Sequence, residues 1–494
     1  MKITKRKIEV VYNKICTTAY KKFKKENLEA ALNYISNAAS WMYSFNLIYA
    51  DERLDNLIIN ISNKFYNNKK IEFNPISDRV VFIDSFAWDN RGLTQQYLRA
   101  LFDQKVKIKF ILTSGGRIGE NILNELKEYN NCEIEIVPKG KLISMGENLV
   151  KSIEEFKPSK IFLHLTPWDV AALFAISIIK GSTTYNINLT DHAFWLGSYI
   201  FDYNIEFRSY GERVSLEKRG FKLNQLLKLP YYPIETKKID FKGFPDLPEN
   251  CIKVFTGGSE YKMLGKNGIF FKIMDELLNL SKNVVILVAG ISKDSKFNLE
   301  VQKIKNKDRV FLIGTRKDID EVYKNSDIFL VSYPFNGGLM TQYAAYNSLP
   351  ILSYIEGDEV FTITDVINQK KIGVSNFLGM ENFLGYAKNL FSDIEYRKNE
   401  GAKNKIAMIT PSEFNKLFRE LHDDNKSISI IWNEIKVDYE KVINFFLDVD
   451  NNFLHDANKK ILNIFKLESF IIYPERLFSF LDILIGYIIR RFNS

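Results

Sequence analysis

Cysteine, histidine and long apolar runs are all scarce in this sequence. Its 494 residues include three cysteines and four histidines, and Cys16, Cys132 and Cys251 lie far apart. An odd, scattered set of cysteines excludes a disulfide framework and a cysteine-based zinc knuckle, so we expect a reducing cytoplasm. No apolar run reaches the roughly 18 residues of a membrane-spanning helix, and the basic N-terminus lacks the apolar core of a signal peptide.

What is present is the composition of a soluble globular protein, with 46% hydrophobic residues, 26% charged residues and a net charge of +8. A chain of this length predicts two or three domains with substantial cores. The positive charge is spread along the chain. It favours acidic ligands or an anionic membrane surface without requiring either, and we expect no nucleic-acid partner.

Residues 1–75 predict a helical segment. Residues 1–25 are basic, and Ile8, Val11 and Ile15 recur at helical spacing. This pattern is typical of a solvated basic helix, with a role at a membrane surface as the alternative. The stretch from Leu28 to Phe65 predicts two further helices.

Strands and helices alternate over residues 76–230, which is typical of a doubly wound parallel sheet. The predicted strands of this first domain are Val80–Ile83, Val106–Leu112, Glu133–Val137, Ile161–Leu165, Thr184–Asn188 and Ile205–Phe207. A proline-rich, aperiodic stretch at 231–250 predicts a linker.

The alternation restarts over residues 251–415, which predicts a second Rossmann-like domain. Its predicted strands are Ile252–Thr256, Val284–Ala289, Val310–Ile313, Ile328–Val331 and Ile351–Ser353, with Gly373-Val374 opening a further one. Residues 416–494 have helical periodicity. The predicted fold class is therefore α/β, with two Rossmann-like doubly wound domains facing across a cleft and helical additions at both ends. Such a cleft is the default ligand site.

Two glycine turns of the second domain suit a phosphate ligand. Gly257-Gly258 closes the first strand and is followed by Lys262, and Gly337-Gly338 stands between a strand and a helix. Glycines let a ligand approach the backbone, while a lysine and a helix N-terminus attract phosphate. An ordinary turn beside a surface lysine is the alternative. The first turn lacks the Lys-Ser/Thr ending of an ATPase phosphate loop.

The segments TGGSEYK, LIGTRKDIDEVYKNSDIFLVSYPFNGG and AAYNSLPIL resemble the donor half of GT-B-type, nucleotide-sugar-dependent glycosyltransferases. The resemblance spans roughly residues 78–415 and is most specific in the second domain. It implies that Lys262 contacts a diphosphate, that the loop holding Arg316 lies by the base, and that Gly337-Gly338 cradles the phosphates. The donor-binding residues predicted in this way are Gly257, Gly258, Ser259, Lys262, Arg316, Asn336, Gly337, Gly338, Leu339 and Gln342.

The large retaining family of GT-B enzymes has a pair of glutamates around the turn that corresponds to Gly337-Gly338. This sequence departs from that pattern, because Phe335 and Tyr343 occupy the two positions. The sequence is therefore more similar to inverting enzymes of the O-GlcNAc transferase type. The ribose contact stays open among Gln342, Glu356 and Asp358.

His192 is the predicted catalytic residue of the first domain. It follows the strand Thr184–Asn188, where it resembles the acceptor-side histidine of several GT-B enzymes. A histidine can take up and release a proton near neutral pH. The alternative is a structural histidine beside Phe194 and Trp195. Asp191 either orients His192, acts as the base itself, or caps a helix.

Two further loops of the first domain predict acceptor contacts. Arg91 lies in the loop after the first strand, and Trp168 lies in the loop after the fourth strand. Aromatic and polar groups suit a sugar's apolar face and hydroxyls. For both loops the alternative, to which we give equal weight, is that the aromatic residue packs in the protein and the polar residue caps a helix.

The sequence as a whole predicts a metal-independent glycosyltransferase that uses a nucleotide-diphosphate sugar, with a UDP-sugar favoured and no cofactor. A growing surface glycan is the first candidate acceptor and a glycoprotein the second. No Asp-x-Asp metal motif ends a strand, because Asp448-Val449-Asp450 lies in the helical tail. The rivals are a catalytically inactive GT-B subunit that stabilises a partner transferase, and a sugar-nucleotide 2-epimerase.

The expected location is the cytoplasm, with the inner face of the cytoplasmic membrane as an open alternative. The C-terminal stretch Leu477–Ile489 is almost entirely apolar and is followed by Arg490 and Arg491. A helix of this kind either packs into the protein or lies in a membrane interface, where the two arginines meet anionic lipid.

Overall fold

The chain forms two compact units in a computed structural model. One unit comprises Met1–Leu229 together with Asn415–Ser494, and the other comprises Pro230–Phe414. The structure describes residues 3–90, 92–235, 239–357, 364–372, 377–427, 429–432, 434–452, 454–465, 469–472 and 476–492. Arg91, Asp358 and Gly373-Val374, which carry predictions, lie outside the described residues.

Helices and strands alternate through most of the described chain. In chain order the helices are α1 (Lys5–Lys24), α2 (Leu28–Phe45), α3 (Glu52–Phe65), α4 (Thr94–Asp103), α5 (Glu120–Glu128), α6 (Leu142–Phe156), α7 (Val170–Ile176), α8 (Ser209–Lys218), α9 (Ile269–Leu280), α10 (Lys296–Val301), α11 (Ile319–Lys324), α12 (Gly338–Tyr346), α13 (Thr364–Ile367), α14 (Gly379–Ser392), α15 (Ile394–Ala407), α16 (Pro411–Asp424), α17 (Tyr439–Asn452), α18 (Leu454–Phe465), α19 (Ser469–Ile472) and α20 (Leu477–Phe492). The strands are β1 (Ile71–Glu72), β2 (Ile76–Asp84), β3 (Lys107–Leu112), β4 (Cys132–Ile136), β5 (Pro158–His164), β6 (Ile179–Lys180), β7 (Thr183–Ile187), β8 (Tyr203–Glu206), β9 (Leu226–Lys228), β10 (Ile252–Gly257), β11 (Val284–Ala289), β12 (Val310–Gly314), β13 (Ile328–Leu330), β14 (Ile351–Leu352), β15 (Tyr354–Ile355) and β16 (Phe377–Leu378).

The first unit is built on a seven-stranded parallel sheet in the order β4-β3-β2-β5-β7-β8-β9. Its interior strand β2 is buried on both faces from Val80 to Asp84. A strand buried on both faces needs helices on both sides of the sheet, and the crossover helices supply them. The predicted doubly wound architecture is confirmed in this unit.

The helical ends of the chain share one hydrophobic core with the first sheet. Ile8, Val11 and Ile15 of α1 are buried in it. The indole N–H of Trp41 donates to the carbonyl of Ile8 across 3.1 Å. Trp41 also packs against Phe465 of α18, with ring centroids 5.1 Å apart. The apolar stripe predicted for the first helix therefore packs inward, and its basic face stays outside.

The C-terminal helix α20 has apolar residues on both of its faces. Phe480 and Ile483 are buried in the core of the first unit. Phe478 is 80% exposed and Ile485 is 52% exposed on the other side. Within the described part of the chain, none of the helices has the length and hydropathy needed to cross a bilayer.

The second unit is built on a five-stranded parallel sheet in the order β12-β11-β10-β13-β14. It confirms the second predicted Rossmann-like sheet. The predicted linker, 231–250, lies within this unit. The hydroxyl of Tyr343 donates to the carbonyl of Ile234 across 2.7 Å, and Gln342 Nε2 donates to the carbonyl of Tyr231 across 3.2 Å. These two hydrogen bonds hold the start of the 231–250 segment against α12.

Candidate functional site

Glycines line the carboxyl edge of the second sheet. Gly257 ends β10, Gly290 follows β11 and Gly314 ends β12. A Cβ atom on Gly290 would lie 2.8 Å from the carbonyl oxygen of Gly258, and one on Gly257 would lie 3.1 Å from the carbonyl oxygen of Ala289. The ends of β10 and β11 are therefore too close together for side chains at Gly257 and Gly290. Ligands of parallel sheets bind at this edge, and here the glycines leave the backbone accessible to them.

Lys262 lies beside this glycine edge. Its side chain passes Gly258, where a Cβ would lie 3.7 Å from Lys262 Cδ. The Lys262 carbonyl accepts from the backbone N–H of Phe335 across 3.2 Å, which joins the lysine loop to the segment before Gly337. The lysine is half-buried, and burial lowers its pKa. Within the described part of the chain its ammonium has neither an acidic partner nor a hydrogen-bond acceptor.

Gly337 is the N-cap residue of helix α12, and no side chain caps this end of the helix. Thr341 donates from its backbone N–H to the Gly337 carbonyl across 2.9 Å, so the helix is formed from its first turn. The N–H groups of Gly338, Leu339 and Met340 are the free donors of this turn, and they carry the positive end of the helix dipole. Asn336 and Leu339 are half-buried around this turn, while Ser259 is exposed beside Gly258.

Arg316 is engaged by its own unit. Its Nε donates to Asp318 Oδ1 and its Nη1 donates to the carbonyl of Gly243, each across 2.8 Å. Its guanidinium also lies over the ring of Phe241, with 5.6 Å between the guanidinium carbon and the ring centroid. The predicted base-side arginine is therefore a clamp that holds the 241–244 segment. We assign it no direct ligand contact.

The predicted ribose contact Gln342 is fully buried. Its Nε2 donates to the carbonyls of Tyr231 and Val366, across 3.2 and 3.0 Å. A side chain enclosed in this way supports the unit from inside and offers a ligand no surface. Glu356 is exposed after β15 and remains a candidate for the ribose.

His192 lies in the irregular segment between β7 and β8 of the first unit. The exposed fraction of its side chain is 42%, and its ring stacks on Phe446 with centroids 6.0 Å apart. Nδ1 lies 3.3 Å from Asp191 Oδ1. This contact fixes the orientation of the ring, and a proton held at Nδ1 would leave Nε2 as the basic nitrogen. The geometry suits a proton acceptor.

Asp191 is buried and paired with Arg208. Arg208 donates to it from both Nε and Nη2, the second across 3.0 Å. Burial alone would raise the pKa of Asp191, but Arg208 and His192 hold it well below its ordinary value. A carboxylate held in this state is a poor base. Of the three predicted roles for Asp191, its contacts favour the orientation of His192.

Arg219 holds the backbone of the same segment. It is fully buried, and Nη2 donates to the carbonyls of Asp191 and Ala193 across 2.8 and 2.9 Å. Its guanidinium lies 4.8 Å from the centroid of the Trp195 ring. A guanidinium bound by two neighbouring carbonyls fixes the turn that carries His192 between them.

The N-terminal helices support this segment from the other side. Asn46, which ends α2, donates from Nδ2 to the carbonyl of His192 across 2.6 Å. Asp55 of α3 accepts from the N–H groups of Gly197 and Tyr199, across 2.8 and 3.2 Å. The helical segment predicted as an addition therefore contributes directly to the placement of His192.

Trp168, a predicted acceptor contact, packs against the N-terminal helices. Its ring lies edge-on to Tyr43 of α2 with centroids 5.3 Å apart, and its carbonyl accepts from Ser36 Oγ across 3.0 Å. These contacts favour a packing role for Trp168 over a contact with the acceptor. Arg91, the other predicted acceptor contact, lies outside the described residues.

Sequence reasoning missed Gly290, Arg208, Arg219 and Asn46. The repetition of a glycine at the ends of β10, β11 and β12 was a readable signal for Gly290. The other three act through partners that lie far away in the sequence, so no local pattern indicated them. Among the described residues, no three His, Cys, Asp or Glu side chains gather in a way that could hold a metal ion.

Comparison with known proteins finds similarity in structure alone. No protein-family model and no curated protein sequence matches the chain. An O-GlcNAc transferase from Thermobaculum terrenum, in a mutant form, has a TM-score of 0.51 at 11% identity, with 80% of this chain and 81% of that chain covered. A glycosyltransferase from Rickettsia africae has a TM-score of 0.50 at 12% identity, with 71% and 99% covered. These similarities show the fold, and they confirm that it is the GT-B fold of nucleotide-sugar glycosyltransferases.

Proposed function

We propose that this protein is a glycosyltransferase that moves a sugar from a nucleotide-diphosphate sugar, UDP-sugar in the first instance, to a hydroxyl of a glycan or glycoprotein. The acceptor belongs to the biosynthesis of surface polysaccharide or glycoprotein. The proposal rests on the GT-B fold together with the chemistry that each unit presents at its own strand ends.

The observation that carries the proposal is the half-buried Lys262 with no acidic partner among the described residues. A partly desolvated cation is stabilised when an anion joins it. Gly257-Gly258 and the uncapped N-terminus of α12 belong to the same strand-end region. Backbone donors and a point charge together suit a diphosphate, which becomes the leaving group when the sugar is transferred.

His192 is the proposed proton acceptor. In the reaction the acceptor hydroxyl gives its proton to Nε2, its oxygen bonds to the anomeric carbon, and the bond from that carbon to the diphosphate breaks. Asp191 and Arg208 orient the ring without taking the proton. Lys262 and the N–H groups of the α12 N-terminus take up the negative charge of the departing diphosphate. No step in this scheme calls for a metal ion.

The same structure is compatible with a catalytically inactive GT-B subunit. Such a subunit would need neither an oriented histidine nor an unpaired lysine. The Asp191–His192 contact and a Lys262 ammonium that has no acidic partner within the described residues therefore favour an enzyme. A sugar-nucleotide 2-epimerase would need more acidic and histidine groups around the sugar. Around Lys262 the acidic residue in the same turn is Glu260, and its carboxylate accepts from the backbone N–H of Phe297 across 2.7 Å.

We further propose that the first unit contacts the inner face of the cytoplasmic membrane. The outer face of α20 exposes Phe478 and Ile485, and the outer face of α1 exposes Arg6, Lys14 and Lys21. An apolar helix face suits the acyl boundary of a bilayer, and lysines and arginines of the same unit suit anionic headgroups. A cytoplasmic enzyme of this kind would work at the membrane surface.

The direct test is release of nucleoside diphosphate from candidate UDP- and GDP-sugars by the purified protein, in the presence of a metal chelator. A transferase without its acceptor hydrolyses its own donor slowly, so we expect release from one sugar nucleotide. His192→Ala should abolish most of that release. Absence of release from every candidate, in a protein that binds the nucleotide, would favour the inactive subunit.

A further inference from the structure

Two neighbouring loops at the carboxyl edge of the first sheet carry exposed cations. One loop follows β3 and runs through Thr113-Ser114-Gly115-Gly116-Arg117, and the other follows β4 and runs through Val137-Pro138-Lys139-Gly140-Lys141. The two strands pair in parallel, with Leu112 opposite Ile136. The loops therefore emerge side by side at the edge where parallel sheets bind ligands.

The two loops are interlocked through a glycine. Gly115 has a φ of +59°, and a Cβ there would lie 2.4 Å from Lys139 Cγ and 3.0 Å from the backbone nitrogen of Lys139. Only glycine leaves room for the lysine at this point. Ser114 Oγ accepts from the N–H of Gly116 across 3.3 Å and tightens the turn that leads to Arg117. The stem of Lys139 is thus held over the loop that carries Arg117.

The cations of these loops differ from the cations on the strands below them. Lys107 and Lys109 of β3 pair with Glu133 of β4, at 2.8 and 3.6 Å. Arg117, Lys139 and Lys141 are exposed. In the described part of the chain none of the three has an ion pair. Charges are matched along the strands and left unmatched at their carboxyl ends.

Two carboxylates bind the backbone of the helices that follow these loops. Both oxygens of Asp89 accept from backbone N–H groups at the start of α5, Asn121 and Ile122, each across 3.0 Å. Both oxygens of Glu29 accept from the first N–H groups of α6, Leu142 and Ile143, across 2.9 and 3.0 Å. The charge of Asp89 and Glu29 is thus directed to helix N-termini and not to the cations of the loops.

We propose that Arg117 and Lys139, with Lys141 at their side, form an anion subsite that binds a phosphate or carboxylate group on the acceptor. This inference rests on the proposed function, because it assigns the site to the acceptor of the transfer reaction. It names the acceptor class as a negatively charged glycan. Arg117 offers a planar fork of donors that fits either oxyanion, and Lys139 adds a point charge.

The test uses glucose 6-phosphate, glucuronic acid and glucose as probes, with ligand-observed NMR to measure binding to the full chain. An excess of UDP occupies the nucleotide site throughout, so that the probes report on the remaining sites. We expect the charged sugars to bind more tightly than glucose and to weaken as salt is added. The double variant Arg117→Gln/Lys139→Gln should weaken their binding about tenfold, as expected for two exposed charge pairs.

The matched control is Lys105→Gln/Lys127→Gln, which removes the same charge from exposed residues that precede β3 and β4 at the opposite edge of the sheet. It should leave probe binding unchanged. If only glucose 6-phosphate binds, the acceptor carries a phosphate; if glucuronic acid binds as well, the subsite recognises negative charge in general.

Equal binding of all three sugars, or an equal loss of binding in the control variant, would overturn the subsite. Failure of UDP to bind in the same samples would count against the proposed function instead.

Discussion

Asn46 donates a hydrogen bond to the backbone carbonyl of His192 across 2.6 Å. Asn46 has a φ of 49° and a ψ of 45°, the left-handed conformation that ends α2. Asparagine tolerates this conformation and supplies a side-chain donor. The end of an N-terminal helix is thereby joined to the segment that carries the proposed proton acceptor.

Replacing Asn46 by glycine tests whether this contact positions His192. Glycine adopts the left-handed conformation without strain, so Asn46→Gly removes the amide and preserves the end of the helix. We expect a fall in turnover of about tenfold, the cost of one hydrogen bond near 1.4 kcal/mol, with little change in the KM of the donor. The measurement is steady-state kinetics together with thermal unfolding.

Two further variants separate positioning from general stability. Asn68→Gly changes another asparagine with positive φ in the same unit, and it should leave turnover unchanged. The double variant Asn46→Gly/His192→Ala should be no slower than His192→Ala alone, because Asn46 would act through His192. Additive losses in the double variant would assign Asn46 a purely structural role.

His192→Ala itself should lower turnover by about a hundredfold or more, the usual contribution of a general base. Donor affinity should stay near that of the parent, because the histidine belongs to the first unit and the glycine edge to the second. Single-turnover kinetics and nucleotide titration measure the two quantities separately. Loss of donor binding at unchanged turnover would make His192 a substrate contact, and earlier melting with unchanged kinetics would make it structural.

Asp55 predicts a pH dependence of stability. Burial raises its pKa from 3.8 to about 7, although the N–H groups of Gly197 and Tyr199 act in the opposite direction. The folded state then holds a proton that the unfolded state has released, so the free energy of unfolding falls as the pH rises from 3.8 towards 7 and is lowest above that. Asp55→Asn should remove this fall.

The measurement for Asp55 is the difference in melting temperature between pH 5 and pH 8, in variant and parent. We expect the parent to lose on the order of 5 °C more than Asp55→Asn over this interval. Asp393→Asn alters an exposed cap of α15 and should keep the parent's pH dependence. An unchanged pH dependence in Asp55→Asn would show that this carboxyl is ionised throughout the interval.

Phe478 tests the proposed membrane contact. Phe478→Ser removes an apolar side chain of α20 that is 80% exposed, and it should reduce flotation with vesicles of phosphatidylcholine and phosphatidylglycerol. Leu299→Ser changes a leucine that is 65% exposed in the second unit and should float like the parent. A parent protein that never floats, or that associates with itself through this face, would contradict membrane docking.

The sheets could be predicted from the sequence because a buried parallel strand is a short apolar run, which a few consecutive residues are enough to reveal. Val284–Ala289, for example, is an unbroken apolar run between polar turns, and the structure has β11 at those residues. The glycine turns of the second unit were predictable for the same reason, since Gly257-Gly258 and Gly337-Gly338 directly border a strand and a helix. Local patterns determine where elements begin and end.

The partners of charged and polar side chains could not be predicted in this way. Arg316 and Gln342 carried donor-site predictions, and the structure engages both with their own unit. Arg208 lies just after β8, where its local sequence resembles that of a surface arginine, yet it binds Asp191, 17 positions away. Such pairings depend on which loops the fold brings together. Sequence periodicity contains no information about them.

Calorimetric titration of nucleotides tests the central claim most directly. UDP and uridine differ by the diphosphate, the group that Lys262 and the N-terminus of α12 are proposed to hold. We expect UDP to bind in the presence of a chelator, and Lys262→Ala to weaken it by about 1.5–3 kcal/mol, or roughly 10–150-fold, while uridine binding is unchanged. Lys307→Ala, which alters an exposed lysine of the same unit, should bind UDP like the parent. Equal UDP affinity in Lys262→Ala and the parent, or no binding of UDP and GDP at all, would contradict the account.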